Sequence, residues 1–229
     1  LNGYTLTSSG TEFDMFSVYS NGNLTIKDSG TGGKIDGQNK NCGFDVSGGI
    51  LTLDSGSIVN CTDADGDGGA VDVSSQGKFT MNGGAISNCK AGDDGGAIDI
   101  GKGCTFTMNG GTISGCRADD DGGAIFVKQK AFFVMNGGTI ENCSADYGGA
   151  VNIYRDGSFA MTGGTIKDCT VDAGGSGNAV YGDKDKAIVA ISGGTIENFG
   201  ESPLSFDAFT VHFDTSGRTP VSGQEGPKS

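Results

Sequence analysis

The sequence predicts an all-β protein of one kind: a single-stranded right-handed parallel β-helix, a solenoid of about seven coils of roughly 27 residues. Three observations carry this. The stretch "GGAVDVSSQGKFTMNGGAISNC" (68–89) is restated as "GGAIDIGKGCTFTMNGGTISGC" (95–116) and as "GGAIFVKQKAFFVMNGGTIENC" (122–143). The apolar residues fall into columns at the repeat spacing with a period of two inside each short run, the mark of half-buried strands. Finally, no segment holds an apolar i, i+3, i+4, i+7 face, and Gly 44 against Pro 3 comes without a three-residue period, which excludes helical repeats and collagen.

Each coil opens on an apolar residue after Gly-Gly-Ala or its equivalent: Phe16, Phe44, Val71, Ile98, Ile125, Val151 and Val180, spaced by 28, 27, 27, 27, 26 and 29. Two residues on come Val18, Val46, Val73, Ile100, Val127 and Ile153, completing the first strand. The second strand carries Leu24/Ile26, Leu51/Leu53, Phe79/Met81, Phe106/Met108, Phe133/Met135, Phe159/Met161 and Val189/Ile191. The third carries Ile35, Ile58, Ile86, Ile113, Ile140, Ile166 and Ile196. One repeat cannot bury its own apolar face, so the coils must stack, about 4.8 Å apart, with equivalent strands parallel. Such crossovers are right-handed, because a right-twisted strand packs back onto its sheet only that way. The solenoid is expected over residues 1–210, with 211–229 a mobile C-terminal tail or the start of a following small β module. Leu1 falls inside the strand-like run "LNGYTLT", so the chain reads as a segment of a longer protein.

"GGAV/GGAI" (68–71, 95–98, 122–125, 148–151) followed by "FTMN" or "FVMN" (79–82, 106–109, 133–136) resembles the repeats of chlamydial polymorphic membrane proteins. It is closer to the glycine-rich β-helix repeats in surface proteins of Gram-positive gut anaerobes. The resemblance covers residues 15–199 and departs at "LTLD" (51–54) and "FAMT" (159–162), where Asp and Thr replace Asn. "TVHFDTSGRTP" (210–220) is similar to the opening strand of a Listeria–Bacteroides repeat, although 205–214 also suits a completion of the last coil. The resemblance implies an exported, cell-surface, adhesin-like protein with a pectin lyase-like fold. It implies no single ligand, because such folds host many functions.

Cys61, Cys89, Cys116, Cys143 and Cys169 form a column that continues at Phe199, so the position reads as an inward apolar slot holding reduced thiols. Side chains in one column point the same way, which disfavours axial disulfides although the coil spacing permits them. Asn82, Asn109 and Asn136 form a second polar column, read as an amide ladder along the axis.

The net charge of -13 argues against nucleic acid as a partner. No run of 18 apolar residues suits membrane insertion. No cofactor is required by the pattern. Calcium is the one the sequence offers, at Asp63, Asp65 and Asp67 of "DADGDGG" (63–69), whose alternate carboxylates match the start of a calcium loop. Position 12 of that loop is Ser74 where a bidentate Glu belongs. A polysaccharide-acting enzyme (pectate-lyase-like or a glycoside hydrolase) is the alternative the fold suggests. Against it, the single histidine is His212, in the tail, and Arg117 and Arg155 sit in different turns. An ice-binding plane is broken by Glu141, Lys167 and Glu197. The remaining candidate is a strip on the first strand: Asp72, Asp99, Phe126, Asn152 and Tyr181, with Tyr154 beside it. Rings amid carboxylates and amides suit a host or dietary glycan or mucin. The expected function is thus a non-catalytic, extracellular, adhesin-like β-helix segment of a bacterial surface protein, displaying or spacing a glycan-binding surface.

Overall fold

A computed structural model describes residues 1–8, 14–183, 186–197, 204–206 and 211–213. Over them the chain is all-β, without a helix, and forms a parallel β-solenoid of about seven turns with equivalent strands about 27 residues apart.

Three parallel sheets run the length of the solenoid. The first includes Phe44–Ser47, Val71–Ser74, Ile98–Ile100, Ile125–Val127, Val151–Ile153 and Val180–Gly182. The second includes Ile50–Leu53, Lys78–Met81, Thr105–Met108, Phe132–Met135, Ser158–Met161 and Ile188–Ile191. The third includes Lys34–Asp36, Ser57–Val59, Ala85–Ser87, Thr112–Ser114, Thr139–Glu141, Thr165–Lys167 and Thr195–Glu197. The register pairs each column residue with its counterpart, as in Ile98 with Ile125, Phe106 with Phe133 and Ile113 with Ile140. Leu204–Phe206 and Val211–Phe213 extend the first two sheets by pairing with Val180–Gly182 and Val189–Ile191. Residues 214–229, and Phe199 of the cysteine column, lie outside the described residues.

A fourth, five-stranded sheet adds to the three strands per coil expected from the sequence: Thr62–Asp63, Lys90–Ala91, Arg117–Ala118, Ser144–Tyr147 and Thr170–Ser176. Its strands begin right after the cysteines, and three of them bury an alanine (Ala91, Ala118, Ala145). A run with one small apolar residue carries no periodicity, so it leaves only the trace "C-x-A". This fourth side matters because it lifts the turn before each Gly-Gly away from the core and beside the outer face of the first sheet.

The core is a set of axial stacks. Phe79, Phe106, Phe133 and Phe159 lie ring on ring, with centroids 4.9, 5.1 and 4.8 Å apart and planes within 14°. All four are wholly buried, so the stack adds ring–ring contact to the burial of large apolar area. The Met column that follows explains the Gly-Gly after it. Gly138 has φ +87°, and a Cβ there would meet Met108 Cε at 2.6 Å, so the turn needs glycine for both conformation and space. The corner before each cysteine is left-handed too. Asn60, Asn88, Asn142 and Asp168 have φ between 52° and 55°, and Gly115 takes the same place at 63°. Asn, Asp and Gly are the residues that tolerate it at least cost.

All seven cysteines are free and buried. Each thiol of the column donates to the carbonyl two residues before it, at 3.3–3.5 Å, as Cys116 does to Ser114. Burial pushes the Cys42 thiol well up, with Asp14 adding to it, so this group is a packed, protonated thiol.

The Asn column is a ladder of side-chain hydrogen bonds. Asn136 Nδ2 donates to Asn109 Oδ1 (2.9 Å), Asn109 Nδ2 to Asn82 Oδ1 (2.9 Å), and Asn82 Nδ2 to Asp54 Oδ1 (2.7 Å). Thr162 Oγ1 donates into the other end, to Asn136 Oδ1 (2.9 Å). The two departures from the repeat thus cap the ladder: an acceptor-only carboxylate at the bottom and a hydroxyl donor at the top. The bond from Asn82, followed by that from Lys27, holds the Asp54 carboxyl below the usual range.

Candidate functional site

The first sheet positions the site. Its inner residues, such as Ile125 and Val127, fill the core, so the residue between them faces outward. Strand pairing brings Asp72, Asp99, Phe126, Asn152 and Tyr181 into one column, one per coil. The sequence reading treats this column as an open strip. The structure makes it the floor of a groove instead: Asp99 and Asn152 are 1% exposed and Phe126 only 4%. The cover comes from two sides that the sequence reading did not connect.

One wall is the acidic turn before each Gly-Gly. Asp67, Asp94 and Asp121 occupy equivalent places and climb the axis: Asp94 N–H donates to Asp67 Oδ1 and Asp121 N–H to Asp94 Oδ1, both at 3.1 Å. The series stops at Asp121, where the next coil has Tyr147 and the backbone contacts fall to Asp120. The other wall is the turn leaving the first sheet, which carries Lys102, Lys128, Gln129 and Tyr154. Between the walls lies a cleft of about 380 Å³ lined by Asp94, Asp121, Lys102, Lys128, Gln129 and the rings of Phe126 and Tyr154. Those rings stand 6.1 Å apart at 41°, Arg155 stacks on Tyr154 at 4.9 Å, and Tyr147 leans on Tyr181 at 5.2 Å.

Lys128 ties the groove together. Its Nζ lies 2.6 Å from Asp67 Oδ2 in one wall and 3.0 Å from Asp99 Oδ2 in the floor. Burial works against its charge, but the two carboxylates prevail and hold the ammonium above its ordinary value. Burial drives Asp99 well up, with Lys128 opposing, and its Oδ1 is buried without a hydrogen-bond partner. Asn152 is the other anomaly, for neither Oδ1 nor Nδ2 of its buried amide has a partner. Unmet buried polar atoms cost about 1–3 kcal/mol each, so native proteins keep few of them.

The acidic groups share a common perturbation. Burial first, then repulsion from Asp94 and Asp120, raises Asp121 to about 7. Burial and Asp67 raise Asp94 to about 6, and burial raises Asp72 to about 6 against the pull of Lys128. Among the described residues neither Asp94 nor Asp121 has an ion-pair partner within 4.0 Å.

The three aspartates that the sequence offers for calcium lie in the stretch before Gly68. Asp65 is exposed, Asp63 is half-buried, and Asp67 turns to Lys128 and the Asp94 amide. Among the described residues no three His, Cys, Asp or Glu side chains are placed to hold one metal ion. Sequence reasoning missed Asp94, Asp121 and Lys128 as site residues. The signal for the aspartates was present, as the position just before Gly-Gly in three successive repeats. Lys128 had none, since its role depends on reaching two coils down the axis.

Neither family models, nor curated proteins, nor solved structures give a match to this chain.

Proposed function

We propose that the chain is a non-catalytic, glycan-binding segment of a bacterial cell-surface protein, and that the groove on the first sheet is its binding site. The observation that carries this reading is the cleft itself. It sets two aromatic rings, Phe126 and Tyr154, beside an amide, carboxylates and lysines in a space of about 380 Å³. Rings offer a flat apolar surface to the C–H face of a pyranose, and the polar wall offers partners to its hydroxyls. The resemblance of the repeats to adhesin-like surface proteins supports an extracellular setting, with a host or dietary glycan or mucin as partner. The solenoid then serves to hold the walls at fixed spacing, since rigid elements keep a site more precise than loops do.

A glycan and mucin array tests it. Saturable binding by the wild type that falls at least tenfold in Tyr154→Ala, with Phe126→Leu preserving the fold and weakening binding less, is the expected result. Binding unchanged in Tyr154→Ala would place the site elsewhere. A second reading, cleavage of the same glycan, draws support from two carboxyls raised to about 6 and about 7 in the cleft. New reducing ends appearing on incubation with a bound glycan would favour it over simple binding.

A further inference from the structure

Resting on the glycan-binding reading, we propose that the groove selects sugars that carry a protonated amine, with the ammonium seated between Asp94 and Asp121. Consider first what the cleft lacks. Its acidic wall is faced by Asp67, Asp120, Asp146 and Asp183 as well, and its one central cation, Lys128, is already engaged by Asp67 and Asp99. Lys102, on the rim, is exposed. A polyanion meets repulsion here, and a neutral sugar leaves the repulsion between the two aspartates in place. An ammonium relieves it.

The second observation is independent of charge. Asn152 lies on the same outer face, next in the column to Phe126, with an unpartnered amide that is 99% shielded from solvent. Its two donors and its carbonyl oxygen match vicinal hydroxyls. It is flanked by Phe126 and Tyr181, whose rings lean on Tyr154 and Tyr147. Binding as proposed includes an outward turn of Tyr154, whose ring stands 6.1 Å from that of Phe126, because Phe126 is 4% and Asn152 1% exposed and the cleft is lined by Phe126 and Tyr154 but not by Asn152. Ring, amide and carboxylate pair together specify an amino sugar more closely than a lysine side chain, which has nothing for Asn152 to hold.

The test is calorimetric titration of the folded chain with a glucosamine tetramer and with its N-acetylated counterpart, at about pH 6.5 and about pH 5. The expected result is at least tenfold tighter binding of the free amine at the higher pH. That advantage should shrink at the lower pH, where Asp94 (about 6) joins Asp121 (about 7) in holding a proton and the pair loses its remaining charge, and should be lost in Asp94→Asn with Asp121→Asn. Both variants remove repulsion, so they should fold, which a melting curve checks. Equal or tighter binding of the acetylated tetramer overturns the amine selection while leaving a glycan site. No binding of either tetramer, with binding of other glycans on the array, overturns it in the same way. Silence across the whole array fails the underlying reading as well. A tetralysine peptide binding as tightly as the glucosamine tetramer, through the same aspartates, overturns the assignment to a sugar.

Discussion

Replacing Asp121 by Asn should stabilise the protein by an amount that grows as pH rises from about 4 to about 7 and is complete above that. The side chain stands in the wall of the groove, half-buried, and its carboxyl is raised from 3.8 to about 7 by burial and by Asp94 and Asp120. The sign follows from linkage. In the pH range between those values the folded state holds a proton that the unfolded state has released. The protonated form's contribution is therefore present in full below about 4 and is lost as pH rises through about 7. The distance between 3.8 and about 7 sets a ceiling of about 4 kcal/mol. Partial exposure screens the charge, and Asp94 relaxes when its neighbour is neutralised, so about 1–2 kcal/mol is the realistic size. Asn keeps the shape and carries no charge. Urea melts of wild type and Asp121→Asn near pH 4.5, 6 and 8 check it. The curves should nearly coincide at the lowest pH and separate by about 1–2 kcal/mol at the highest. A gap independent of pH, or a variant less stable than wild type at pH 8, would refute the reasoning.

Other consequences are equally concrete. Lys128→Met strips the cation from buried Asp99, so it should cost about 3 kcal/mol near pH 8 and less as the pH falls, because burial already favours the protonated carboxyl; a cost independent of pH would deny the pair its role. Phe106→Ala empties a fully buried slot between two rings and should cost about 3–5 kcal/mol in denaturant melts. Asn109→Ala breaks two rungs of the exposed ladder and should cost about 1 kcal/mol, and a loss as large as that of Phe106→Ala would mean the ladder matters more than its exposure allows. Thiol titration in denaturant without reductant should return all seven cysteines, and a value near three would mean that the stacked thiols oxidise in pairs.

The repeat made most of the fold legible, because a solenoid writes each contact into the sequence once per coil. Ile86, Ile113 and Ile140 pair as their spacing requires, and the Phe and Met columns follow suit. Even the exceptions had meaning: Asp54 and Thr162 end the ladder chemically. The fourth sheet stayed hidden because strands as short as Lys90–Ala91 and Arg117–Ala118, each with one small apolar residue, have no period to detect. The site was half legible for a related reason. Its floor is a column, so Asp72, Asp99, Phe126, Asn152 and Tyr181 were found together. Whether that column is open or roofed depends on how far the turns project, and turn projection leaves no periodic trace. Lys128 is the plainest case, since a lone lysine after a strand says nothing about the carboxylates one and two coils below it, Asp99 and Asp67.

The central claim, that the first-sheet groove is a glycan site selecting an amine, is tested most directly by amide and side-chain chemical-shift mapping during titration with the glucosamine tetramer. The account predicts saturable shifts concentrated at Asp94, Asp121, Phe126, Lys128, Asn152 and Tyr154, with the outer residues of the third sheet, such as Thr139 and Thr165, unmoved. Saturable shifts centred on that third face, with the groove residues unchanged, would contradict it.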